Sequence, residues 1–260
     1  MFNPQTLINE RGSFGNAKAD IMLNVRMRYA RNYSDWPFPN AMSKRDASDV
    51  WDKTVEVLKG NTLFEDGFNI LLTKLNPINR IFLIEKRLIS PDMLKSGKPC
   101  GVIVSKDARH SVLVNEEDHL RISVKGAGGE YFKSFDELSA VEKYIGEKVN
   151  FAHLDKYGYL TACPTNLGTA FRISGLFHLA GLAFLKKINK YLEILVKKGF
   201  AVRGYYGEQS RFLGDVFQIS TLKCKTAKDD LVSVFKIFST IESDEKIARN
   251  TISKSKDRVK

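Results

Sequence analysis

The chain has 260 residues, 43% of them hydrophobic and 27% charged, and 41 Lys plus Arg against 30 Asp plus Glu give a formal charge of +11. The length and balance are those of a soluble globular protein with a real core, and the basic excess points to an anionic ligand, with nucleotide, nucleic acid and acidic protein surfaces as candidates. Cys100, Cys163 and Cys224 show neither CxxC nor zinc spacing, the N-terminus lacks a signal-peptide plan, and the longest apolar stretch, Gly175 to Leu185, is too short to span a bilayer. A reduced, cytoplasmic, membrane-free protein is expected.

Along the chain, Val50, Trp51, Val55 and Leu58 share one face and predict a helix from about Ser48 to Leu58. The runs Asn69–Leu72 and Arg80–Glu85 fit strand or helix equally. Gly101–Ser105 and Ser111–Val114 flank Lys106–His110 as a hairpin. The second of these strands is expected to run on through Asn115-Glu116-Glu117-Asp118-His119 to Val124 and to break at Gly126–Gly129. Ser134-Phe135-Asp136-Glu137 reads as a capping box opening a helix to about Val149. Tyr157–Ala162 has strand character. Ser174–Lys198 fits a long helix with Leu176, Leu179, Ala183, Ile188 and Leu192 inward and Gly199 as its stop. Gly214–Ser220 is a strand and Asp229 to about Ala248 a closing amphipathic helix. Antiparallel neighbours with helices between them give an α+β class. No linker divides the chain, so one domain is expected over residues 1–250, followed by a basic tail, 251–260.

Three segments carry chemistry. Val114–Arg121 holds three carboxylates, a histidine and an arginine; on a strand that density is costly to bury without partners, and it reads as the floor of a polar site. Gly158–Arg172 contains Cys163-Pro164-Thr165-Asn166-Leu167-Gly168-Thr169, where Gly168 allows a backbone to approach a ligand closely. Arg203-Gly204-Tyr205-Tyr206-Gly207-Glu208 is the third. Arginines recur in every one of them and in Asn24–Asn32: Arg26, Arg28, Arg121, Arg172 and Arg203. The planar arginine fork grips two phosphate oxygens and stays charged. Any one of the five alone reads as a surface arginine.

In order and spacing these segments resemble the guanidino-kinase (phosphagen kinase) superfamily, and within it the bacterial protein-arginine kinase branch. The likeness runs from about Asn24 to Ala248 and includes Leu88-Ile89-Ser90-Pro91 and Phe217-Gln218-Ile219-Ser220. It implies a guanidino-kinase catalytic domain, a mainly antiparallel sheet flanked by helices, without that branch's C-terminal helical domain. It also implies ATP-dependent phosphorylation of arginine residues in proteins, with ATP used as its Mg²⁺ complex. Arg26, Arg28, Arg121, Arg172 and Arg203 match the arginines that cradle the ATP phosphates. Glu117 and Glu208 match the glutamates that orient the acceptor, and Cys163 matches the active-site cysteine, whose role would be electrostatic. The chemistry needs such groups: a guanidinium is protonated at neutral pH and a carboxylate must take its proton as the N–P bond forms. No dedicated metal cluster is expected, because Mg²⁺ keeps water and phosphate ligands. Asp118 and His119 are expected to order the loop rather than to act in catalysis.

The resemblance further implies arginine-containing protein substrates, an adaptor and the Clp protease system of protein quality control, and no nucleic acid. The sequence departs from the family pattern at Arg87, where a nucleotide-contacting histidine is usual, and at Ala170-Phe171-Arg172-Ile173, which replaces Gly-Leu-Arg-Ala. A small-molecule guanidino (arginine) kinase and a degenerate nucleotide-binding regulatory module are the alternative functions.

Overall fold

A computed structural model describes residues 20–204, 214–222, 224 and 227–256. They form two compact units, one built from Met27–Lys125 and Phe132–Phe171 and the other from residues 20–26, 126–131 and the described part of 172–256.

Strand β1 (Met22–Arg31) contributes its later half to the first unit. Alternation along a strand puts Arg26 and Arg28 on one face and Val25, Met27 and Tyr29, all buried, on the other. Helix α1 (Lys44–Leu58) starts earlier than its apolar face predicts, because Ser43 and Asp46 form a reciprocal capping box. The two ambiguous runs separate: Phe68–Leu71 is strand β2, whereas Pro77–Glu85 is helix α2, opened by Asn76 and a proline in its first turn. Strands β3 (Gly101–Val104), β4 (His110–Val114) and β5 (Leu120–Ala127) follow, each antiparallel to the one before. Hydrogen bonding orders the unit's strands β2-β3-β4-β5-β1. Ile70, Leu72, Leu83, Leu88, Val102, Val104 and Leu113 form a core under this sheet.

The expected continuous strand through the acidic motif is corrected. β4 ends at Val114, its partner Leu120 opens β5, and residues 115–119 form the turn between them. Asn115 takes the left-handed conformation at φ 58 and donates its N–H to the His119 carbonyl at 2.9 Å. Asparagine tolerates that conformation better than most residues, so the turn closes and frees the acidic side chains from ladder alternation. The predicted capping box at Ser134 is corrected too. Helix α3 (Tyr131–Gly146) begins three residues earlier, so Ser134 lies within its first turn and is fully buried. Glu130 instead accepts the Ala127 N–H at 3.1 Å. Strand character in Tyr157–Ala162 shrinks to a two-residue ladder, β6 (His153–Leu154) with β7 (Gly158–Tyr159).

In the second unit the predicted helix from Ser174 is replaced at its start by strand β8 (Phe171–His178). Residues 173–177 are all buried, which removes the period-two signal that marks a half-exposed strand. Short helices α4 (Ala180–Phe184) and α5 (Ile188–Lys197) follow, and Gly199, at φ 87, stops α5 as expected. Strand β9 (Phe200–Arg203) pairs with β10 (Val216–Thr221), and β10 with β8, both antiparallel. Helix α6 (Ala227–Lys256) runs beyond the end predicted for it. Its Glu245, fully buried, accepts the N–H groups of Gly181 and Leu182 at 2.7 and 3.0 Å and the Arg249 Nε at 2.7 Å, which ties α4 to α6. Among the described residues no helix is long and apolar enough to cross a membrane.

Two features of the first unit carry measurable consequences. Both ring nitrogens of the fully buried His119 are used: Nδ1 accepts the Tyr33 N–H at 3.1 Å, so Nε2 carries the proton it donates to the Pro37 carbonyl at 2.9 Å. Burial, set against the Pro37 hydrogen bond and the nearby Asp118, holds its pKa below 6.5, and burial does the same for His110. The unfolded chain therefore takes up protons at these histidines first as pH falls. The contribution of these two histidines should be constant above about pH 7 and should decline below about 6.5, with a slope of up to about 1.4 kcal/mol per pH unit for each histidine. Urea midpoints between pH 7.5 and 5.5 check this, and His119→Gln should flatten the decline. Ala170 sits at φ 47, a conformation costing an alanine about 1–2 kcal/mol. Ala170→Gly should raise stability by about 0.5–1 kcal/mol after the entropy of the glycine is counted, measured by chemical denaturation.

Candidate active site

The turn at residues 115–119 gathers the first unit's charged groups. Arg121, the second residue of β5, extends its guanidinium back over the turn; Nη1 meets Glu116 Oε2, and Nη2 lies 3.0 Å from Glu117 Oε2. The two glutamates differ in environment. Glu116 is mostly buried and accepts the Ser90 hydroxyl at 3.1 Å, while the Glu117 side chain is 42% exposed. Burial alone would raise the Glu116 pKa, but Arg121 and then Arg28 outweigh it and hold the carboxyl below the usual range. Glu116 is thus ionised at neutral pH and keeps Arg121 and Arg28 in place, whereas Glu117 presents an accessible carboxylate. Sequence reasoning passed over Glu116. Its signal was present: it is the first of two adjacent acids a few residues before Arg121.

Asp118 points inward and is 1% exposed. Its Oδ1 accepts the Asn32 amide and the Ala162 N–H, each at 2.7 Å, and Asn32 in turn accepts the His119 N–H at 2.7 Å. The acidic turn and the segment leading to Cys163 are therefore held to the same end of β1. With both His119 nitrogens engaged, the ordering role expected of Asp118 and His119 is the one these hydrogen bonds provide.

Cys163 precedes a short 3-10 turn, Pro164–Asn166, and its carbonyl accepts the Asn166 N–H at 2.9 Å and the Thr161 hydroxyl at 2.8 Å. Its Sγ lies 2.9 Å from Thr165 Oγ1 and is partly accessible, unlike the buried Cys100 and Cys224. The neck of this loop needs glycine twice. Gly168 has φ 109, and a Cβ on Gly158, itself at φ 75, would strike the Gly168 backbone at about the 2.7 Å that separates it from the carbonyl oxygen. The first unit thus sets Arg28 of β1 and Arg121 of β5 beside Glu116, places Glu117 against Arg121, and fastens the Cys163 loop to the turn that carries the two glutamates.

The remaining candidates lie in the second unit. Arg26 is on β1, where its carbonyl accepts the Ser174 hydroxyl of β8 at 3.2 Å. Arg172 stands between the buried Phe171 and Ile173 and so projects from the opposite face of β8; Arg203 faces Gln218 across the β9–β10 ladder. All three arginines are partly exposed. The Arg172 charge also offsets part of the upward push that burial gives the Cys224 thiol. Glu208 lies outside the described residues. Among the described residues no group of three metal-ligating side chains forms.

Residues 49–243 match the family model of the ATP:guanido phosphotransferase C-terminal catalytic domain. The chain is 37% identical over 244 residues to a protein named protein-arginine kinase from Caldanaerobacter subterraneus, covering 92% of this chain and 72% of that one. It is 35% identical over 240 residues to a protein of the same name from Halothermothrix orenii, covering 92% of this chain and 68% of the relative. Among solved structures, the duplicated taurocyamine kinase of Schistosoma mansoni with bound transition-state analogue components superposes with a TM-score of 0.75 at 28% identity, over 88% of this chain and 34% of that protein. Lombricine kinase shares the fold, with a TM-score of 0.78 at 21% identity over 92% of this chain and 70% of that one. The chain belongs to the ATP:guanido phosphotransferase family.

Proposed function

We propose that this chain transfers the γ-phosphoryl group of Mg-ATP to the guanidinium of arginine residues in proteins. The observation that carries the reading is the turn at 115–119, where the exposed Glu117 carboxylate is held by Arg121 one residue from Asp118, the anchor of the Cys163 loop. The name carried by relatives at 37% and 35% identity supports the acceptor class. Phosphoryl transfer is catalysed mainly by positioning and by stabilising charge. Here Glu117, with Glu208, aligns an incoming guanidinium and takes its proton, a guanidinium nitrogen bonds to the γ-phosphorus, and the bond from that phosphorus to the ADP oxygen breaks. Arg26, Arg28, Arg121, Arg172 and Arg203 hold phosphate oxygens in this reading, and Mg²⁺ arrives with ATP as part of the substrate. Cys163 stabilises the acceptor's positive charge. A cytoplasmic setting, an adaptor partner and a Clp protease downstream belong to the same reading.

The test offers an unfolded arginine-rich protein, free L-arginine and taurocyamine in parallel with Mg-ATP, with products read by mass spectrometry without acid. Phosphoarginine on the protein is the expected result. Product only on a small guanidino compound would assign the chain to a metabolic role, and ATP binding without any product would make it a regulatory module. Glu117→Gln should lower turnover by about 100-fold or more, the loss of a general base. Because Glu117 is exposed, the thermal midpoint should stay within a degree or two of the parent chain, by about the scale of neutral surface substitutions. Parent-like turnover in Glu117→Gln would remove this residue from the mechanism.

A further inference from the structure

Arg31 closes β1 and is 2% exposed, a burial that an arginine tolerates only when its charge and N–H groups are well matched. Its Nε donates to Glu142 of α3 at 2.8 Å, and its Nη1 donates to the carbonyls of Ala30 at 2.7 Å and Thr169 at 3.0 Å. The guanidinium carbon lies 3.5 Å from the centre of the Tyr159 ring and 4.5 Å from that of Tyr29, distances at which a cation is attracted to the ring face. Arg31 also differs from Arg26 and Arg28 in parity. It stands on the other face of the strand, so it does not share their route to a phosphate.

What Arg31 touches is the far end of the Cys163 loop. Asp118 grips the near end through Ala162 N–H, and Arg31 grips the far end through the Thr169 carbonyl. The adjoining Ala30 N–H donates to Ala170 O at 3.0 Å, and the Tyr159 N–H to Gly168 O at 2.9 Å. Between those anchors the loop contains no strand and only the 3-10 turn after Cys163. We infer that Arg31 is a positioning residue: its planar fork, stacked on Tyr159 and paired with Glu142, sets where the Cys163 loop sits. The inference rests on the reading of Cys163 as part of the phosphoryl-transfer site.

The test uses the full chain and two readouts. The first is the rate of iodoacetamide alkylation at Cys163, followed peptide by peptide by mass spectrometry, with the buried Cys100 and Cys224 as internal references. The second is the division of the effect between kcat and the KM for ATP. Arg31→Met should speed alkylation of Cys163 by about tenfold through local opening, leaving the two reference cysteines slow. It should lower kcat by about 10- to 100-fold with the KM for ATP within about threefold, as misplacement of a reacting group does. Arg31→Lys should recover part of both, since lysine keeps the charge but cannot serve Glu142 and both carbonyls in one plane. Glu142→Gln should move both readouts in the same direction as Arg31→Met and, with Arg31→Lys, carries the comparison if the methionine variant does not fold. An unchanged Cys163 rate would overturn the inference, as would equal acceleration at all three cysteines, which marks general loosening. Alkylation needs no turnover, so it decides the role of Arg31 even if the parent chain makes no phosphoarginine, a result that counts against the proposed function alone.

Discussion

The first unit's chemistry depends on one buried carboxylate. Removing an ionised aspartate from water costs several kcal/mol unless donors replace the lost hydration, and Asp118 finds them in the Asn32 amide and the Ala162 N–H. Those two donors come from segments far apart in sequence, so the need to satisfy a single charge fixes three pieces of chain against one another. Glu117 and Cys163 acquire their places as neighbours of that junction. His119 extends it by using its second nitrogen on the Pro37 carbonyl, so that Asp118 Oδ1, Asn32 and His119 are joined in one network. Such networks are rigid when complete and costly when one member is lost.

The site combines this rigidity with one accessible acid. Glu116 and Glu117 are adjacent and share Arg121, yet the first is buried and held below the ordinary carboxylate range while the second is open to solvent. Two like residues thereby differ in what they offer, one a buried carboxylate beside the arginines and the other a carboxylate open to solvent. The separation follows from leaving the ladder: in a turn, consecutive side chains escape strict alternation and their exposure is set by what each finds nearby.

Much of this was legible from residue types. The arginine-bearing segments, the acidic pair, the cysteine before proline and the stop at Gly199 all stand out by composition and spacing, and α+β class followed from the order of short apolar runs. What failed did so for physical reasons. The start of the predicted helix at Ser174 is a strand buried along residues 173–177, where hydrophobicity no longer alternates. Ser134 and Glu137 have the spacing of a cap, but the buried Tyr131 opens the helix a turn earlier. The acidic motif was recognised as the polar centre and misplaced on a strand, because a left-handed Asn115 is invisible in a pattern of polar and apolar letters. Arg31 was overlooked as the third arginine of a cluster; its place on the other face of the strand and its burial against Tyr159 and Glu142 separate it from its neighbours.

The sharing of Arg121 between two glutamates has an electrostatic corollary. Despite a formal charge of +11 for the whole chain, this turn sets two acids, Glu116 and Glu117, against Arg121 and is not a bare cationic surface. Any phosphate that reaches Arg121 must compete with carboxylates already in contact with it. Occupancy of this corner by an anionic ligand would therefore be an exchange of one anion for another rather than the filling of an open cationic site.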